Sequence, residues 1–148
     1  PAPRRDSAAS APAASASAAA PAAAVAPAPL RVLLADDEPA LRLAISLYLA
    51  RRGHRVTQAA DAHEALRLAR ENEFDVALVD ARMPGDGLAL LERLEALPSL
   101  QGRTALMTGD LGRVRATPGV ATGRPYLSKP FDMESMLHLL ETLGRRQP

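Results

Sequence analysis

The chain has no cysteine and no tryptophan, only two tyrosines and two phenylalanines, and one lysine, Lys129, against 17 arginines in 148 residues. Without cysteine there is no disulfide and no thiolate chemistry, though this leaves the compartment open. No apolar run approaches the roughly 20 residues of a membrane-spanning helix. No leucine-rich h-region marks a signal peptide. No basic cluster with interleaved aromatics is present, so direct nucleic-acid binding has little support. The formal charge is +1. Arg4, Arg5 and Asp6 account for that surplus, and the remainder balances 16 basic against 16 acidic residues.

The first 29 residues differ from the rest. They hold fifteen Ala, six Pro and four Ser, with Val25 the one branched aliphatic residue. Alanine favours helix, but the prolines interrupt it. So little large apolar surface cannot offset the entropy of ordering a backbone. Residues 1–29 read as a flexible or semi-extended linker, with an Ala-rich helical hairpin as the rival, and residues 30–148 as one domain. The chain opens at Pro1, as a processed or excised piece of a longer protein would.

From Leu30 onward, short apolar runs alternate with amphipathic stretches. Leu30 to Ala35 reads as a buried strand, and Pro39 suits the first turn of a helix running to about Arg52, with Gly53 to cap it. Arg55 to Ala59 is a second strand. Asp61 with Glu64 forms a capping box for a helix ending near Arg70. Phe74 to Val79 is a third strand, Leu88 to Leu97 a helix stopped by Pro98, Arg103 to Met107 a fourth strand and Pro125 to Leu127 a fifth. Met133 to Leu143 is the last helix, with Gly144 placed to cap it. Between Thr108 and Pro125 a crossover helix is expected, but Pro118 and Gly119 make it short or degraded. The class is α/β: a doubly wound (βα)5, flavodoxin-like three-layer sandwich on a five-stranded parallel sheet.

Open α/β sheets place their chemistry at the C-terminal ends of strands. Asp36 and Asp37 follow the first strand, and Asp80 ends the third. Three carboxylates at one edge repel one another unless a hard cation joins them. Mg²⁺, or Mn²⁺ in its place, takes oxygen ligands, here joined by a backbone carbonyl just after Asp80, that of Arg82. Lys129 and Thr108 end the fifth and fourth strands at the same edge. An ammonium is a good point charge for a phosphoryl group, and the hydroxyl can donate to one. Gly109 leaves room for that group to enter. Together these residues suit an aspartyl-phosphate mechanism. Asp80 is the nucleophile, Asp36, Asp37 and Asp80 hold the metal, and Lys129 and Thr108 take the remaining oxygens. The plainer alternatives are helix caps for Asp36 and Asp37, a surface lysine, and an ordinary strand threonine. His54, His63 and His138 are surface or packing residues.

Five segments carry a family resemblance: Leu33 to Pro39, Glu64-Ala65-Leu66, Asp80-Ala81-Arg82-Met83-Pro84, Met107-Thr108-Gly109-Asp110, and Tyr126 to Phe131. In this order, each at a strand end or helix start, residues 30–146 resemble a receiver domain of bacterial two-component signalling. The resemblance implies that Asp80 is the phosphoacceptor, that Asp36 and Asp37 are the metal acids, and that Thr108 and Lys129 are the switch pair. Tyr126 falls on the switch aromatic, its alternative being a strand-end core ring. The loop Met83-Pro84-Gly85-Asp86-Gly87 is one residue shorter than the family pattern.

The resemblance further implies a cytoplasmic protein with a phosphohistidine donor, from a histidine kinase or a histidine phosphotransfer domain, met near the first helix. The Ala/Pro tract and the segments around Thr108 and Lys129 resemble the C-terminal receiver of a hybrid sensor histidine kinase, tethered through residues 1–29. A stand-alone regulator is the alternative. The module is expected to be a monomer or weak dimer, with no membrane contact by this segment. The resemblance implies a self-phosphorylating phosphoacceptor with intrinsic hydrolysis of its acyl phosphate, and leaves open whether it counts as an enzyme, a histidine kinase being the candidate for the full-length protein. Two other classes remain: a phosphorylation-independent scaffold of the same fold, and a small phosphatase with an aspartyl nucleophile.

Overall fold

The computed structural model describes residues 28–110, 112 and 124–145. Most of the tract read as a linker, and most of the weak crossover between Thr108 and Pro125, lie outside the described residues. The elements in chain order are β1 (Arg31–Ala35), α1 (Pro39–Ala50), β2 (Arg55–Ala59), α2 (Ala62–Glu71), β3 (Val76–Asp80), α3 (Gly87–Glu95), β4 (Thr104–Thr108), β5 (Tyr126–Ser128) and α4 (Met133–Gly144). The five strands form one parallel sheet in the order β2-β1-β3-β4-β5.

Both faces of this sheet are covered, which explains why its central strands read as continuous apolar runs. Successive side chains point to opposite faces. Leu33, Ala35, Ala77, Val79 and Leu106 pack on one side with Ala65 and Ala69 of α2 and Leu90, Leu91 and Leu94 of α3. Val32, Leu34, Val76, Leu78, Ala105 and Met107 pack on the other with Ile45 and Leu49 of α1 and Met136, Leu140 and Leu143 of α4. The result is the expected doubly wound three-layer sandwich, with four helices among the described residues.

The helix ends follow local chemistry. Gly53, at φ 88°, closes α1: its N–H donates to the Ala50 carbonyl at 3.0 Å and the His54 N–H to that of Leu49 at 3.1 Å, a Schellman pair. Asp61 accepts from the Glu64 N–H, while Glu64 reaches back to the Ala60 N–H, so the capping box closes one residue early. Several expected boundaries move. The helix of α1 ends at Ala50, ahead of Arg52. The third strand begins at Val76 rather than Phe74 and takes in Asp80, and the fourth and fifth end one residue later than expected. Gly144 is not a cap but the last residue of α4, where a Cβ would come within 2.9 Å of the Leu30 side chain. Its smallness serves packing rather than a turn.

Two contacts, one at the surface and one buried, fix the lower edge of the sheet, away from the strand C-termini. Arg31 makes a two-pronged pair with Asp75, from Nε at 3.2 Å and Nη2 at 3.0 Å, and its backbone N–H donates to the same carboxylate at 2.7 Å. His54 is buried: its Nδ1 accepts the Leu30 N–H at 3.0 Å and its Nε2 lies 3.0 Å from the Glu141 carboxylate. Accepting at Nδ1 puts the ring proton on Nε2, which donates to Glu141. Arg145 adds a hydrogen bond to the Ala28 carbonyl at 2.9 Å.

Burial works against ionised Asp75, yet the hydrogen bonds and charge of Arg31 outweigh it and hold the carboxyl below its usual range. A depressed folded-state value contributes stability above the unfolded value, lost as pH falls through the folded one. Asp75→Asn is therefore expected to cost about 1–2 kcal/mol at neutral pH. In urea melts the gap from wild type should close below about pH 4. A gap that persists into strong acid contradicts this account.

Candidate functional site

Register delivers the site. β1 and β3 pair with Ala35 beside Val79, β3 and β4 with Asp80 beside Met107, and β4 and β5 with Thr108 beside Ser128. Parallel strands in this register end together, so Asp36, Asp80, Thr108 and Lys129 emerge along one edge. One oxygen from each of Asp36, Asp37 and Asp80 lies within 4.8 Å of the others. A group of hard oxygen donors at that spacing suits a small divalent cation.

The three acids differ in surroundings. Asp36 is fully buried. Its Oδ1 accepts the Glu38 N–H at 2.8 Å, so it supports the start of α1 without being its N-cap, which is Glu38. The Asp36 carbonyl accepts from Arg42 at 2.7 Å. Asp37 is exposed at the mouth of the cluster. Asp80 is 5% exposed, and its Oδ1 accepts the Arg82 N–H at 3.2 Å. The Lys129 ammonium sits between them, 3.2 Å from Asp36 and 3.5 Å from Asp80.

These contacts set the protonation of the pair. Burial, with the Asp36 charge added, pushes the Asp80 carboxyl up; the Arg82 N–H and Lys129 only moderate the rise. Burial alone would pull Lys129 down, but the Asp80 and Asp36 carboxylates outweigh it and hold its ammonium above its usual value. The lysine thus keeps its charge, while the surroundings of Asp80 disfavour its charged form and would gain from a further cation.

Thr108 is buried, and its Oγ accepts the Asp110 N–H at 2.9 Å, which leaves its own proton free to donate. The Lys129 N–H donates to the Thr108 carbonyl at 2.7 Å, fixing the lysine to the end of β4. The Lys129–Pro130 bond is cis. A Cβ on Gly109 would meet nothing within 4 Å, consistent with an open entrance. Tyr126 lies at the start of β5, 42% exposed, so it is not the core ring that was its alternative.

The shortened loop after Asp80 is a tight structure. The Ala62 N–H donates to the Pro84 carbonyl at 3.0 Å, tying the loop to the start of α2. Gly85 at φ 91° and Asp86 at φ 69° reverse the chain, and Asp86 then caps α3 by accepting from Leu88 and Ala89. Gly87 was not singled out from sequence, yet a Cβ there would lie 1.9 Å from the Asp80 carbonyl oxygen. Only glycine lets α3 start so close to the site. The signal in the sequence was the spacing Gly85-Asp86-Gly87. The exposed pair Leu43 and Leu47 on α1, 55% and 50% exposed, was also missed, although its i, i+4 spacing was visible.

A parallel, doubly wound sheet that collects acids, a lysine and a threonine along one edge suits a small module that binds a cation and a phosphoryl group. Comparison narrows the class. The model of the response regulator receiver domain matches residues 32–141, and the chain belongs to that family. It is similar to the transcriptional activator protein PfeR of Pseudomonas aeruginosa, 37% identical over 119 residues, which cover 78% of this chain and 38% of that protein. The chain spans about half the length, or less, of the curated relatives it matches. Among solved structures, the receiver domain of the hybrid histidine kinase CckA is 30% identical with a TM-score of 0.65, covering 78% of this chain and 99% of that one. The receiver domain of a sensor histidine kinase from Pseudomonas aeruginosa PAO1, with a magnesium ion coordinated in its active site cleft, is 27% identical with a TM-score of 0.67, covering 80% and 100%. Family membership and the acid cluster are consistent with phosphoaspartate-mediated signalling. No described helix is long and apolar enough to cross a membrane.

An ionised carboxylate held in unfavourable surroundings destabilises the fold. In EDTA at neutral pH, Asp80→Asn is expected to raise the melting temperature by a few degrees. Mg²⁺ should raise that of wild type and leave the variant nearly unchanged. A variant that melts below wild type in EDTA contradicts this reading.

Proposed function

We propose that Asp80 accepts a phosphoryl group from a phosphohistidine donor. The observation that carries this reading is the meeting of Asp36, Asp37 and Asp80 within one cation-sized group, with Lys129 bridging two of them. An Asp80 oxygen bonds to phosphorus as the phosphorus–nitrogen bond to the donor imidazole breaks, the electron pair staying on the nitrogen. Asp36, Asp37, Asp80 and the Arg82 carbonyl would hold Mg²⁺, which when bound neutralises charge on the transferring group. Lys129 donates to one phosphoryl oxygen and the free Thr108 proton to another. Loss of the phosphoryl group follows when water attacks phosphorus and the bond to Asp80 breaks. No histidine serves as base: His54 is committed to Leu30 and Glu141, and His63 and His138 lie exposed on α2 and α4.

Engagement of Thr108 and Lys129 by the phosphoryl group is the event that others read, with exposed Tyr126 as the aromatic that responds. The donor docks on α1, where Ala40, Leu43, Ala44 and Leu47 form an exposed apolar stripe beside Asp37. Such a stripe suits an apolar face on a helical phosphotransfer partner. The likeness to sensor-kinase receivers and the Ala/Pro tract ahead of β1 support a receiver tethered to a kinase core, working in the cytoplasm as a monomer or weak dimer without touching nucleic acid. Finding a kinase core encoded upstream in the same gene tests this placement.

With Mg²⁺ and a small phosphodonor such as acetyl phosphate, intact mass should rise by one phosphoryl group, and Asp80→Asn should abolish the gain. Labelling unchanged in that variant would sink the assignment. Lys129→Ala should slow labelling about a hundredfold. Leu43→Glu with Leu47→Glu should slow transfer from a phosphohistidine partner while leaving the small donor unaffected. Equal slowing with both donors would place the stripe in the chemistry rather than in docking.

A further inference from the structure

On the sheet face opposite α1, a cleft of about 220 Å³ lies between α2 and α3. Buried Ala62 and Leu90 lie at its floor, Leu66 and exposed Ala89 line its sides, and Gly85 walls one end. Past His63 and Leu66 it continues into a shallow trough of about 250 Å³ along Arg67, Arg70 and Glu71. The cleft is smaller than the roughly 300–1,000 Å³ of pockets that enclose small molecules. It is sized for one or two apolar side chains delivered by a helix lying along the trough.

The uncompensated charges of the groove are positive. α2 and α3 carry four acids between them, Glu64, Glu71, Glu92 and Glu95. Glu64 accepts the Ala60 N–H, Glu92 pairs with Arg124, and Glu95 accepts from the Gly102 N–H and the Thr104 hydroxyl. Glu71 alone lines the trough, and it is paired with Arg67 at 3.0 Å. Arg70 and Arg93 flank the groove with no ion pair or hydrogen bond among the described residues. An apolar floor between two unpartnered guanidinium groups is complementary to an amphipathic helix with acidic flanks.

We propose that the α2–α3 cleft is a docking groove for an acidic amphipathic helix of a partner protein, its apolar side chains entering between Leu66 and Ala89 and its carboxylates meeting Arg70 and Arg93. An anionic membrane or a nucleic acid could meet the same arginines, but would leave the recessed floor unfilled. The groove is separate from the α1 stripe and does not depend on the phosphoryl reading. Its end wall belongs to the loop that follows Asp80: Pro84 accepts the Ala62 N–H, and a Cβ on Gly85 would lie 2.9 Å from that of Ala62. An occupant therefore rests against the active-site loop.

The test is amide chemical-shift mapping with a synthetic leucine–glutamate amphipathic helical peptide, beside its leucine–lysine counterpart, anionic vesicles and a single-stranded oligonucleotide. Saturable shifts confined to α2, α3 and Gly85 are expected with the leucine–glutamate peptide alone. Arg70→Glu with Arg93→Glu should weaken binding about tenfold at low salt. Ala89→Met, a good helix former that places a long side chain across the cleft, should abolish it. Both variants should label with acetyl phosphate as wild type does, which separates a lost groove from a lost fold. Equal binding of the lysine peptide, shifts centred on α1, no binding, or binding only to vesicles or the oligonucleotide would overturn the proposal.

Discussion

The structure depends on one ammonium group. Three carboxylates are driven to a single sheet edge by strand register, and two of them are almost wholly removed from water. Desolvation and mutual repulsion both oppose their ionisation. Lys129, the sole lysine, lies within 3.5 Å of both buried acids and offsets part of that cost. The remainder is left uncompensated, and this gives the site its appetite for a further cation and, through it, for a phosphoryl group. A fully neutralised cluster would be more stable and chemically idle.

The rest of the fold keeps that arrangement in place. The strands are short, five residues in each of β1 to β4, and the central β1, β3 and β4 are buried on both faces. A slip of one residue would turn every side chain to the wrong layer. Arg31 and Asp75 pin β1 to β3 at the far edge, so the near edge presents Asp36 and Asp80 level with each other. Gly87 then lets α3 begin against the Asp80 carbonyl, and the Pro84 contact with Ala62 carries the loop's position to α2.

Much of this was legible in the sequence because the signals were local. Apolar runs ending in Asp36-Asp37, Asp80, Thr108 and Lys129 gave both the strands and the site, and Asp61 with Glu64 announced its own helix. What escaped was relational. Gly144 looked like a cap because glycine often is one, but the neighbour that demands it, Leu30, is distant in the chain. His54 read as a packing residue, which it is, yet its partners Leu30 and Glu141 could not be guessed from spacing. Gly87 lies in plain view, but its closeness to Asp80 exists only once the loop has turned through Gly85 and Asp86. The apolar stripe of α1 was hidden differently: Leu43 and Leu47 resemble core positions until the helix is seen to have another buried side.

The His54 contacts have a mechanical consequence. They join the strand that enters the domain, through Leu30, to the helix that leaves it, through Glu141, and Arg145 adds a hold on Ala28. Entry and exit therefore share one pole of the molecule, and the acids occupy the opposite pole. A pull on the chain ahead of Leu30 is borne by this knot and by α4, not by the strand tips. A load applied at either end of the domain therefore meets the same knot, remote from the acids.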